Sequence, residues 1–496
     1  MESGGGFDGY GLTVTWGGGF DGYYYKINNN ILYRQYDSYG YITDNSMFGY
    51  RYTNDSIIFP GEEYVSESGA VILNALSKVP QHIDNIIEQL LPQFIDVDYE
   101  ELKQDTIDFF DYFVEKGFLC CGATFDECQN AIPQIEEQTL DSSVQIVSDD
   151  CTKANFSEND YLRSLHIEIV NECNERCIHC YIPHEYKTKM INPTLFYRLV
   201  NEAREMNMIN ITISGGEPLI HPEFIGFLKK CRELDMSVNV LTNLTLLTDE
   251  IALEMKNNPL LSVQTSIYSM TPSIHDSITK VTGSFERTKT ALLKLKELGI
   301  PLQISCPIIK QNLDTFSDVI AFGKENEIAV SVDYVIFASY DHSNCNLANR
   351  LSLKEVGQAF DQQKSKEYID SLRLLANEKL SIDGNAPICT ICQYYICVSA
   401  EGNAFPCIGW QEKIVGDLNT QSLKDVCENS KEIKALKQIK RNEFPKCVNC
   451  EDRGYCTVCM MSNSNESKDN DPFAINEYHC QVAAMIHNKV DTYDKG

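Results

Sequence analysis

Asn171-Glu-Cys-Asn-Glu-Arg-Cys-Ile-His-Cys-Tyr181 places three thiols, Cys173, Cys177 and Cys180, on one short loop, with three and then two residues between them. A cubane [4Fe–4S] cluster takes four ligands, usually all Cys. A loop that offers three leaves one iron open to a small molecule. A zinc loop, or cysteines scattered through a core as small apolar residues, is the competing explanation of the same spacing.

A second motif stands one strand and one helix further on. Ser214-Gly-Gly-Glu-Pro218 follows a strand-like run at 210–213 and precedes a helix-like stretch at 222–234. Paired glycines let a backbone come close to a neighbour without a Cβ clash. With Tyr181 directly after the third cysteine, the two motifs resemble the radical S-adenosylmethionine (SAM) family. The resemblance implies that Cys173, Cys177 and Cys180 hold a cluster whose open iron chelates SAM. It implies reductive cleavage of SAM to methionine and a 5′-deoxyadenosyl radical. It also assigns Tyr181, Gly215, Gly216, Glu217 and Pro218 to cofactor binding. Glu217 is expected to accept from the SAM ammonium, with glycine amides facing the SAM carboxylate.

The flanking sequence agrees with such a fold. Strand-like runs at 165–170, 210–213, 237–241, 261–267, 301–309 and 328–337 alternate with amphipathic stretches such as 193–208, 284–298 and 314–326. Six βα units predict an α/β fold with a parallel sheet, curled into a partial (β/α)6 TIM-type barrel by right-handed crossovers. Ligand residues then belong on the loops after the strands' C-terminal ends. Asn243 and Ser266 are the further cofactor-binding candidates there, with Lys310 and Asn312 as weaker ones.

The chain has 20 Cys and no basic-plus-apolar leader at its start. Disulfides therefore explain the cysteines poorly, and a cytoplasmic location is expected. Eight cysteines fall in the last quarter, enough for two fully ligated clusters. The pattern resembles the SPASM extension of peptide-modifying radical SAM enzymes. Carried over position by position, Cys389, Cys392, Cys407 and Cys459 would hold a first auxiliary cluster, and Cys447, Cys450, Cys456 and Cys480 a second. The family usually has three residues between the last two cysteines of the central group. Here Cys456 and Cys459 have two, and Cys397 lies near as a substitute ligand. Zinc is the alternative occupant of paired Cys-x-x-Cys units.

Before the barrel, strand-like runs at 31–36, 41–44 and 49–53 precede three helical stretches at 66–79, from Ile83, and at 98–116. This order suggests a small winged-helix fold. The stretch around Asp96-Val-Asp-Tyr-Glu-Glu-Leu102 and the closing Gly117-Phe-Leu119 resemble the PqqD-like recognition element of ribosomal-peptide maturases. Such elements take a leader peptide as an added strand. A DNA-binding winged helix is the alternative, opposed by Glu100, Glu101, Asp105, Asp108, Asp111 and Glu115. Gly-Gly-Gly-Phe-Asp-Gly-Tyr occurs twice, at 4–10 and 17–23, and reads as a flexible or substrate-like segment. The expected plan is a tail over 1–29, a recognition module over 30–120 and an acidic linker over 121–160. The barrel then covers 161–345, bridging helices 346–380 and a SPASM domain 381–496.

A formal charge of −29 repels nucleic-acid phosphates, and no apolar run is long enough to span a membrane. The resemblance therefore implies three [4Fe–4S] clusters, SAM, a precursor-peptide partner and an electron donor such as flavodoxin or ferredoxin. The expected activity is an oxidative thioether or carbon–carbon crosslink in a ribosomally made peptide. The alternatives are a formylglycine-forming sulfatase maturase, which has no need of a leader-binding module, and a non-enzymatic Fe–S or zinc peptide scaffold.

Overall fold

The computed structural model describes residues 23–45, 49, 50, 52, 60–132, 162–183 and 188–495. The heptapeptide repeat, most of the strand expected at 49–53, and the linker beyond 132 with Cys151 lie outside the described residues. Six short strands fall in the first 122 residues: β1 (Tyr24–Ile27), β2 (Leu32–Gln35), β3 (Gly40–Thr43), β4 (Glu62–Val65), β5 (Gln81–His82) and β6 (Leu119–Gly122). They form two sheets, ordered β5-β1-β6 and β2-β3-β4. The chain divides into two compact units. The first gathers the residues up to Asn29, Asp37–Gly40 and Tyr64–Glu136. The second gathers Asn30–Tyr36, Tyr41–Glu63 and everything from Glu137 on.

In the first unit β1 is the central strand, antiparallel to both neighbours, with Tyr24 opposite His82 on one side and Gly122 on the other. Helix Ile83–Leu90 buries Ile83, Ile86, Ile87 and Leu90. That spacing puts all four on one helical face. Helix Tyr99–Glu115 starts at Asp98, whose carboxylate accepts from the Glu101 amide at 2.9 Å. It stops at Gly117, which sits at φ 80° while the Phe118 amide turns back to the Phe113 carbonyl.

The expected boundaries shift here. β1 lies inside the stretch expected as a tail. The 30–36 ribbon clusters with the second unit. β6 and helix Phe125–Asn130 occupy the start of the expected linker. β1 pairs with strands far along the chain, so local pattern could not reveal it.

The second unit is built on nine strands. β7 (Ser164–Val170), β8 (Asn210–Gly215), β9 (Ser237–Leu241), β10 (Leu261–Ser266), β11 (Leu302–Pro307) and β12 (Ala329–Asp333) run parallel. Helices Pro193–Glu205, Phe224–Glu233, Asp249–Lys256, Ser284–Glu297 and Phe316–Glu325 cross between them. Strands alternate. Leu165 and Ile167 of β7 share one apolar core with Phe196 and Leu199 of the first crossover helix. His166 and Glu168 therefore face the barrel interior. By register the same interior face carries Thr212 and Ser214 on β8, Asn239 on β9, Gln264 and Ser266 on β10, and Gln303 and Ser305 on β11. A parallel strand covered on both faces by apolar groups reads as a continuous apolar run. This barrel instead has a polar inside.

The sheet does not end at β7. Beyond the bridging helices Leu353–Gln363 and Lys366–Ser381, β13 (Tyr395–Val398) pairs parallel with β7. β14 (Asn403–Phe405) and β15 (Gly416–Asp417) follow antiparallel. The cysteine-rich segment, expected as a domain apart, thus shares the barrel's sheet. At the other end of the strands, the buried Arg34 of β2 donates from Nε to the Met208 carbonyl at 3.3 Å. Arg163, just before β7, donates to the Tyr36 hydroxyl at 2.9 Å and lies over the Tyr36 and Tyr41 rings.

Candidate functional site

β7 ends at Val170, and the three-cysteine loop leaves from its C-terminal end. The Gly-Gly turn explains how the loop is held. Gly215 sits at φ 125°, and a Cβ there would stand 1.8 Å from the Val170 carbonyl oxygen. A Cβ on Gly216 would stand 2.1 Å from the Glu172 carbonyl oxygen. The Gly216 amide donates to Val170 at 2.6 Å and the Glu217 amide to Glu172 at 2.9 Å. The glycines thus clamp the turn against the backbone that launches the cysteines. The Gly216 amide is spent on that clamp rather than facing a ligand carboxylate.

Glu217 also differs from expectation. It is fully buried. Its Oε1 accepts from the Leu219 amide at 3.0 Å and the Thr242 hydroxyl at 2.6 Å, and its Oε2 from the Asn243 amide at 2.7 Å. Burial lifts its carboxyl to about 7 against these hydrogen bonds. It ties the exit of β8 to the exit of β9, with both oxygens engaged inside the protein. Pro218 opens the one-turn helix Pro218–Ile220 that follows.

Asn243 stands where the reading put it. Its Nδ2 donates to the Asn174 side chain at 2.8 Å and reaches 4.0 Å from the Cys173 sulfur. Ser266 ends β10 and hydrogen-bonds the Tyr268 hydroxyl. That hydroxyl in turn lies 3.8 Å from the Cys177 sulfur. Tyr268 and Glu175 are site residues that motif reading missed. Glu175 Oε2 is 3.5 Å from the Cys177 sulfur. Its signal was its place between two ligand-type cysteines. Tyr268 carries none. Lys310 donates to the Ala348 carbonyl, and the fully buried Asn312 holds the Tyr268 and Pro307 carbonyls, so both brace loops. Tyr181 packs its ring at 5.5 Å from Phe337, and its carbonyl accepts from the Tyr340 amide.

The donor set suits an iron–sulfur cluster. Burial first, then the charges of Glu175, Cys180 and Cys173, push the Cys177 thiol well above its usual range. Three thiolates so close repel one another until a cation joins them. Among the described residues no three His, Cys, Asp or Glu side chains have single-ion geometry. The all-thiol chemistry of the loop fits a polynuclear iron site better than a hard-cation site.

The C-terminal cysteines fall into two groups. Burial lifts Cys392 and Cys459 to about 12 each, and both feel Cys407 and Cys389. Burial lifts Cys456 to about 11, with Cys480, Cys447 and Cys450 adding to it. These are the two expected quartets. Two more thiols border the first. Cys397, fully buried on β13, feels Cys407, Glu168 and Cys392, and Cys427 feels Cys392. The wall between the two cysteine regions holds Tyr181, whose hydroxyl feels Glu168, Cys180, Cys397 and Cys407.

Comparison with known proteins agrees with this geometry. The radical SAM superfamily model matches residues 167–323, the coenzyme PQQ synthesis protein D (PqqD) model residues 57–119, and the iron–sulfur cluster-binding SPASM model residues 389–451. An AdoMet-dependent heme synthase of Methanosarcina barkeri is 24% identical over 59% of this chain and 89% of its own length. A PqqA peptide cyclase of Gluconobacter oxydans is 23% identical over 66% of this chain and 94% of its own. Among solved structures, Streptococcus suis SuiB bound to precursor peptide SuiA aligns over 92% of this chain and 100% of its own, with a TM-score of 0.57 at 14% identity. The enzyme anSMEcpe with bound AdoMet aligns over 67% of this chain and 94% of its own, with a TM-score of 0.52 at 17% identity. At such identities the structural likenesses speak for the fold.

Proposed function

Because this chain is a radical SAM protein that carries a SPASM domain and a PqqD-type module, we propose that it modifies a ribosomally made precursor peptide through an oxidative thioether or carbon–carbon crosslink. The observation that carries this reading is the coexistence of one open three-thiol loop, two four-thiol groups and a PqqD match in a single chain. The named activity of the PqqA peptide cyclases supports a peptide substrate, as does SuiB's bound precursor. In this reading Cys173, Cys177 and Cys180 hold the SAM-binding cluster. Cys389, Cys392, Cys407 and Cys459 hold one auxiliary cluster, and Cys447, Cys450, Cys456 and Cys480 the other. When bound, these groups supply one-electron chemistry and a radical able to take hydrogen from carbon.

The chain's own residues do the rest. Asn243, Ser266 and Tyr181 line the approach to the open side of the cysteine loop. Glu217 fixes the β8 and β9 exits against each other. The polar barrel interior receives the peptide segment and shields it from water. The PqqD-type module takes the leader, and a flavodoxin- or ferredoxin-type protein of the cytoplasm delivers electrons. A formylglycine-forming enzyme is the second reading, favoured by the anSMEcpe likeness. The PqqD match at 57–119 weighs against it.

The test uses protein reconstituted without oxygen and the short peptide encoded beside its gene. Close to twelve irons are expected from three clusters, together with 5′-deoxyadenosine and a peptide lighter by two hydrogens. Replacing Cys173, Cys177 and Cys180 together by Ala should remove about four irons and end SAM cleavage. A triple variant that still forms 5′-deoxyadenosine would refute the loop assignment. Zinc in place of iron at the C-terminal cysteines would point to a scaffold.

A further inference from the structure

Glu168 is the one acidic side chain of β7, and it is 1% exposed. Its Oε2 accepts from the Gln411 side chain, which comes from the cysteine-rich segment just past Cys407. Its Oε1 is buried with no hydrogen-bond partner among the described residues. Native proteins seldom leave such an acceptor unmet, so each instance calls for an explanation. The alternation of β7 turns Glu168 inward, opposite Ser214 of β8 in register, and Ser214 is itself bonded to His166. Tyr181 and Cys397 complete the surroundings, and both feel the Glu168 charge. No lysine or arginine is among these neighbours. A second carboxylate, Glu401, is close enough to raise the Glu168 carboxyl further after burial.

We propose that Glu168, pinned by Gln411, positions the precursor peptide inside the barrel by accepting a backbone amide N–H from the segment to be modified. A neutral amide suits the pocket better than an ammonium group. A buried carboxyl held protonated matches the donor-and-acceptor pair of a peptide bond, while its open oxygen takes the N–H. Glu168 is thus a positioning residue, on the wall between the three-cysteine loop and the first C-terminal cysteine group. The inference rests on the peptide-modifying reading.

The experiment compares full-length, cluster-reconstituted wild type, Glu168→Ala, Glu168→Gln and Gln411→Ala on the peptide encoded beside the gene. Loss of one such hydrogen bond should raise KM for the peptide about tenfold in Glu168→Ala. Product formed per 5′-deoxyadenosine should fall similarly, while binding of the isolated leader peptide stays unchanged. Glu168→Gln keeps an acceptor and should stay within about threefold of wild type. Unchanged KM and unchanged product yield in Glu168→Ala would overturn the proposal. So would equal iron loss in both Glu168 variants, which marks a structural role. If Glu168→Ala does not fold, Gln411→Ala decides, with a raised KM supporting the proposal and an unchanged KM overturning it. A wild type that cleaves SAM yet never alters the peptide defeats the peptide reading, and this inference with it, before any variant is made.

Discussion

Gly215 shows how little room a single position can have. At φ 125° with a carbonyl 1.8 Å from any added Cβ, Gly215→Ala must move either β8 or the launch point of the cysteines. Such strain costs on the order of 1–3 kcal/mol before the clash is counted. We expect Gly215→Ala to fold with about four fewer irons of about twelve, lost from the three-cysteine loop, as iron analysis would show. Glu168 gives a second test. Burial raises its carboxyl from 4.5 to about 8. The folded state therefore holds a proton that the unfolded chain releases, and this stability is complete below about 4.5 and lost as pH rises through about 8. Glu168→Gln should accordingly gain urea stability relative to wild type at pH 8.5 compared with pH 5.5. An unchanged difference between the two pH values would deny the shift. Motif spacing brought attention to Cys173, Gly215 and Glu217, because ligand loops and close turns leave residue-type signatures. It could not show that Glu217 spends both oxygens on neighbouring loops. Nor could it find Tyr268, which meets Cys177 only through the fold.

At the scale of elements, the six barrel strands fall within a few residues of their expected limits, and the crossover helices likewise. Alternating periodicities are local and survive in sequence. The helix ends were as readable, since Asp98 and Gly117 carry the cap chemistry themselves. β1 and β13 were not recognised. Both owe their place to partners distant in sequence, β1 to β5 and β6, β13 to β7. The packing between crossover helices offers a direct measurement. Phe196 and Phe227 stack with centroids 3.9 Å apart and neither is exposed. Phe227→Ala should cost about 3–5 kcal/mol, read as a lower urea midpoint at unchanged slope. A loss under 1 kcal/mol would mean the site collapses to fill the void.

For the whole molecule, the division into units changes how the chain can be cut. A fragment of residues 30–120 lacks β1, the middle strand of β5-β1-β6, and with it the buried Tyr25. We expect this fragment to melt without cooperativity, and one that begins at residue 23 and runs to 132 to melt as a folded domain. Cooperative melting of the shorter piece would show that β1 is dispensable. The expected domain plan erred at such joints for one reason. Composition changes mark where the chain turns polar, whereas units are bounded by which strands pair.

The pairing of β13 with β7 has a consequence for synthesis. β7 leaves the ribosome more than two hundred residues before Tyr395, so one flank of a strand rich in Ile and Val waits unpaired while the rest is made. Unpaired apolar strand edges recruit other chains. A chain that stops short of Tyr395 should therefore collect in the pellet as aggregate rather than persist as a free barrel. Light scattering of such truncations, set against one that ends after Asp417, would reveal whether the cysteine-rich segment also serves as the barrel's own guard against self-association.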